Sequence, residues 1–172
     1  MKTISTLPKK TFFIFCLFLI SFQVYGQTFD AKNSLYVELG GNAGLYSLNY
    51  DRILYQKNAF KAVGRVGISA FPQRFFDQLA PVLPLELTAL IGKGNHHLET
   101  GIGVAPLLHH VNHREENTLV TKLELGAFTT GRIGYRYQKS TGGFLFRAAF
   151  IPIINLDSQL VPFAGISLGK SF

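Results

Sequence analysis

The sequence predicts an all-β fold, an eight-stranded antiparallel up-and-down barrel. Three observations carry that expectation. Apolar and polar residues alternate with period two in segment after segment, the pattern of strands whose two faces differ chemically. Beyond residue 26 no stretch repeats at the helical period of 3.6. Short polar turns and longer links alternate along the chain, which gathers each kind of link at its own end of a meander.

The chain has 172 residues, 17 glycines, 16 phenylalanines, no tryptophan and one cysteine. Charged residues make up 16% and apolar residues 47%, a composition too greasy and too uncharged for disorder. The length fits one domain, and one cysteine cannot build a disulfide framework.

Residues 1–26 read as a secretory signal peptide, an expectation of export through the Sec route. Lys2, Lys9 and Lys10 form its basic start, and Thr11 to Phe22 its apolar core. That core is about a dozen residues, short of the roughly 20 a spanning helix needs. Val24 and Gly26 place cleavage after Gly26, and Cys16 departs with the segment. Residues 27–172 then form the barrel domain. Their net charge is +4, from 14 Lys+Arg against 10 Asp+Glu, rather than the +7 of the whole chain. Nucleic-acid binding is not indicated.

The strands are expected at 34–41, 45–54, 59–71, 82–92, 96–107, 121–138, 143–154 and 162–172. In the third, Phe60, Ala62, Gly64, Val66 and Ile68 share one face, and Lys61, Val63, Arg65 and Gly67 the other. The fifth sets Leu98, Thr100, Ile102 and Val104 against His97, Glu99, Gly101 and Gly103. The sixth sets Leu123, Leu125, Ile133 and Tyr135 against Glu124, Arg132 and Arg136. The seventh sets Phe144, Phe146 and Phe150 against Arg147. Short turns fall at 56–58, 92–95 and 139–142, and longer links at 72–81, 108–120 and 155–161. The first link, 40–44, departs from the alternation by being short.

Strands of about 10 residues suit a transmembrane barrel, and closure removes edges that lipid does not tolerate. Orientation follows from charge. One face collects Glu38, Asp51, Lys61, Arg65, Glu86, Glu99, Glu124, Arg132, Arg136 and Arg147. Each Lys or Arg facing lipid at the midplane costs about 2–4 kcal/mol, so that face is expected inward. Five carboxylates then meet five cations in a plugged, ion-paired lumen. The opposite assignment, apolar face inward, describes a soluble lipocalin-like ligand carrier; a sparsely charged, glycine-rich outer face counts against it.

The chain resembles the small outer-membrane β-barrel proteins of Gram-negative bacteria, broadly of the OmpA/OmpX type. The residues that carry the resemblance are SLYVELGGNAGLYSLNYDR, TGRIGYRYQ, GGFLFRAAFIP and the closing PFAGISLGKSF. Terminal Phe172, with Ile166 and Leu168 in phase, looks like the signal read by the outer-membrane assembly machinery; Lys170 departs from it where an aromatic is usual. The resemblance implies outer-membrane location, both termini periplasmic, a monomer in contact with outer-membrane lipid, and no cofactor. It leaves an extracellular partner unspecified. The role expected is structural or surface recognition.

Candidate chemistry is sparse. His109, His110 and His113, with Glu115 and Glu116, fall in the link at 108–120; imidazoles this close are candidate metal ligands, although a solvated loop explains them more simply. A lipid-modifying barrel enzyme needs a serine, histidine and acid together. His97, Glu99, Ser47 and Ser69 are available, but no motif joins them. In PQRFFDQLAP, Phe75, Phe76 and Leu79 suit an interfacial anchor. A narrow ion channel is a further alternative.

Overall fold

The computed structural model describes residues 28–73, 78–115, 118–154 and 160–172. The signal-peptide reading at 1–26 and Phe75 and Phe76 lie outside these residues. The strands are β1 (Asn33–Gly40), β2 (Tyr46–Lys57), β3 (Phe60–Gln73), β4 (Gln78–Val82), β5 (Leu85–Ile91), β6 (His96–Glu115), β7 (Thr118–Gln138), β8 (Gly143–Phe150), β9 (Ile153–Ile154), β10 (Leu160–Val161) and β11 (Ala164–Ser171). A 3₁₀ turn, Gly41–Ala43, follows β1.

These segments make a closed antiparallel ring of 8 wall strands, because β4–β5, β8–β9 and β10–β11 are each one wall strand interrupted near a proline. Proline has no N–H to give to the ladder, yet the chain stays on course. The Leu83 N–H donates to the Pro106 carbonyl at 2.9 Å, and the Gly131 N–H to the Pro152 carbonyl at 2.9 Å. The Ile151 N–H donates to the Phe163 carbonyl at 2.7 Å. The ring closes between β1 and β11, from Ser34↔Ser171 to Gly40↔Gly165.

Tracing paired residues from Asn33 through Arg52, Gly64, Leu87, Ile102 and Gly131 round the ring returns about ten residues further along the chain, just past the end of β1. Every cross-strand row therefore climbs obliquely from the turn end towards the link end. The turn end carries the β2–β3 turn, where Asn58 takes φ 54, a conformation asparagine tolerates. Both described termini lie there too, with Phe172 donating to the Asn33 carbonyl at 2.8 Å.

The faces divide by charge. Leu125 is 76% exposed on the outside and Ile102 73%, whereas Arg136, Glu99 and Glu38 inside are fully buried. Three expectations are corrected. The link expected at 72–81 is largely strand, because β3 and β4 pair from Ser69↔Val82 to Gln73↔Gln78. The link at 108–120 is not a loop. β6 and β7 continue as a paired hairpin from Leu108↔Leu125 to Glu115↔Thr118, and unbroken pairing satisfies each backbone group better than an open loop would. β2 also runs on to Lys57 through a bulge between Ile53 and Tyr55, which turns both Leu54 and Tyr55 outward.

Candidate functional site

The candidate site is the lumen, since the barrel wall directs nine of the ten expected ionic residues into it: Glu38, Asp51, Lys61, Arg65, Glu86, Glu99, Arg132, Arg136 and Arg147 are all buried. Glu124 is the exception and is exposed. It pairs with His109 on the hairpin extension; its phase is right but its height carries it past the lumen. The five-to-five balance becomes four buried carboxylates against five buried cations among the described residues.

At mid-height two arginines and two glutamates close a ring of alternating charge. Glu38 accepts from Arg65 at 2.5 Å and from Arg132 at 2.8 Å, and Glu86 accepts from Arg65 at 2.7 Å and from Arg132 at 2.5 Å. Asn49 Oδ1 takes the Arg65 Nε–H at 3.1 Å, and Ser167 donates to Glu38 at 3.2 Å. Below it Arg147 grips Glu99 through two contacts, Nε to Oε2 at 2.9 Å and Nη2 to Oε1. The Arg147 guanidinium lies 4.6 Å from the Tyr36 ring centre, a cation–π contact. Nearer the turn end Arg136 binds Asp51 at 2.6 and 3.1 Å and reaches Gln138 at 2.8 Å. Paired, bidentate geometry is what lets charges sit in a dry interior.

Lys61 stands apart. Its Nζ lies 3.3 Å from His97 Nε2 and 4.5 Å from the Phe29 ring centre, with no carboxylate partner among the described residues.

Each end of the ionic layer carries an apolar cap, which sequence reasoning missed. At the turn end the segment before β1 enters the mouth. Phe29 is fully buried against Ile53, Val63 and Leu90, with its N–H donating to Gln56 Oε1 at 3.0 Å. At the link end Gly41–Ala43 folds inward. Ala43 packs on Val82 and Ala105, and Asn42 donates to Glu86 at 3.2 Å. Gly41, at φ +80, seats directly on the Glu38 carboxylate, where a Cβ would collide. The triplet of positive-φ glycines, Gly40, Gly41 and Gly44, was the available signal. An apolar residue before the first strand was the signal for Phe29.

His109, His110 and His113 lie on β6, paired through the backbone with Glu124, Leu123 and Val120; their side chains lie outside the description. The serine, histidine and acid considered for catalysis are not brought together. Ser47 accepts from Asn49, His97 meets Lys61, and Glu99 is held by Arg147. An apolar lumen suited to a lipophilic ligand is absent among the described residues, since charged pairs fill the interior.

No protein-family profile matches the chain, and no curated protein matches it. Among solved structures it is similar to the N-terminal β-barrel domain of Pseudomonas aeruginosa OprF, with TM-score 0.52 and 14% identity over 82% of this chain and 98% of that one. That likeness establishes the fold: an all-β, eight-stranded antiparallel barrel.

Proposed function

We propose that this chain spans the outer membrane of a Gram-negative bacterium as a closed barrel with a structural or surface-recognition role. The observation that carries the reading is the inverted distribution of chemistry, with paired charges inside and large apolar side chains outside, from Leu35 and Val37 round to Ile166 and Leu168. Water does not favour such an exterior, because contiguous apolar surface beyond a few hundred Å² drives association; hydrocarbon does. The fold likeness to the OprF barrel domain supports the same environment. The turn end then faces the periplasm, and the β6–β7 hairpin stands outside the cell as the recognition element. Phe172, immediately after β11, serves as the assembly signal.

The test is heat-modifiability with membrane fractionation. Unboiled protein is expected to migrate apart from boiled protein and to fractionate with outer membranes. A protein soluble without detergent, showing no shift, would overturn the reading.

A further inference from the structure

The outer wall carries one feature that a uniformly greasy surface does not need. Arg52 is exposed on the outward face of β2, the face that should meet lipid, and has no side-chain hydrogen bond or ion pair among the described residues. It starts a cross-strand row, Arg52–Gly64–Leu87–Ile102–Gly131. Two of the five members are glycines, and the side chains of Leu54 and Pro152 lie close over them. A Cβ on Gly64 would sit 3.0 Å from Leu54, and one on Gly131 3.2 Å from Pro152. Between this row and the next, which runs from Tyr50 to Ile154, lies a groove of about 950 Å³. The oblique climb of the rows sets Arg52 at its low, turn-end mouth and Ile154 at its high end. Near that mouth are Tyr50, which donates to Asn33 Oδ1 at 2.8 Å, and exposed Lys170, two residues beyond the level of Asn33 on the neighbouring strand pair.

We propose that this groove binds one glycerophospholipid of the periplasmic leaflet, its phosphate on Arg52 and an acyl chain lying up the groove. The inference rests on the membrane-spanning reading above. An arginine at the interface costs little on a barrel's lipid face, against about 2–4 kcal/mol at the midplane, and its planar fork matches a phosphate bidentately. The apolar lining beyond it, Leu87 and Ile102 foremost, matches hydrocarbon. A free phosphate would use the arginine but leave the groove empty; a detergent or neutral lipid would use the groove but leave the arginine unpaired.

The experiment is native mass spectrometry of the detergent-purified protein loaded with phosphatidylglycerol or with diacylglycerol of the same chains. Wild-type protein is expected to retain a single phosphatidylglycerol. Arg52→Gln is expected to lower that retention about tenfold, and Gly64→Leu, which fills the groove, to lower it as well. Each variant is first run unboiled to show that it folds. Equal retention by Arg52→Gln, or retention of diacylglycerol as strong as that of phosphatidylglycerol, would overturn the lipid site while leaving the membrane reading intact. A protein with no heat shift that needs no detergent would overturn both.

Discussion

Individual residues in the lumen differ sharply in what their removal should cost. Arg147 is fully buried and holds Glu99 through two contacts. Arg147→Ala leaves that carboxylate buried and unpaired, which costs about 3–5 kcal/mol. Arg114→Ala, near the hairpin tip where Arg114 pairs through the backbone with Leu119, should stay within about 0.5 kcal/mol. Urea unfolding of the folded barrel in detergent measures both, and equal midpoints would refute the buried-pair account. Replacing both partners, Glu99→Leu with Arg147→Met, is expected to cost less than Arg147→Ala alone, because no orphaned charge remains. Gly41→Ala acts differently. At φ +80 and against the Glu38 carboxylate the added methyl is both strained and crowded, and a loss of about 1–3 kcal/mol is expected, read as a lower unfolding midpoint. An unchanged midpoint would show that the inward turn is not seated as described.

At the scale of elements, the wall and the hairpin behave as different structures. The wall strands are held on both sides, and three of them are interrupted near a proline. β6 and β7 run on together well past them, from Leu108 to Glu115 against Thr118 to Leu125. Nothing in a two-residue alternation says where a strand leaves the barrel, so the sequence reading stopped β6 near residue 107 and left Glu124 among the lumen charges. The hairpin is expected to be dispensable for folding. Replacing residues 110–123 with Asn-Gly, a favoured two-residue hairpin turn, should preserve the His109↔Glu124 pair, the heat shift and the urea midpoint. Loss of the shift would place the hairpin within the folding unit. The prolines tell a related story. Pro84 and Pro152 break the regular pairing, but their carbonyls still accept from Gly67 and Gly131 at 2.8 and 2.9 Å.

The whole molecule is built in layers along the barrel axis. Phe29 and its apolar neighbours close the turn end, three sets of charge pairs fill the middle, and the Gly41–Ala43 turn closes the link end. A lumen closed three times over is expected to show no steady current when the protein is inserted into planar bilayers. Regular single-channel steps would contradict that closure and support the ion-channel alternative.

Much of this architecture was determined by the sequence alone. The number of wall strands and the sorting of residues onto two faces follow from period-two alternation, because each side chain's face depends only on its parity along a strand. The up-and-down order follows from the alternating link lengths, and the choice of inner face from the cost of charge against lipid. The facing of Glu38, Arg65 and Arg147 was legible for that reason. Which charge meets which was not. Arg136 finds Asp51 across 85 residues and Arg132 finds Glu38 across 94, and those meetings depend on how far the rows climb around the closed ring. The inward fold of Gly41–Ala43, the entry of Phe29, the departure of Glu124 from the lumen and the groove that climbs from Arg52 were likewise decided by tertiary structure. Parity assigns a face, but only closure and stagger assign a height and a neighbour.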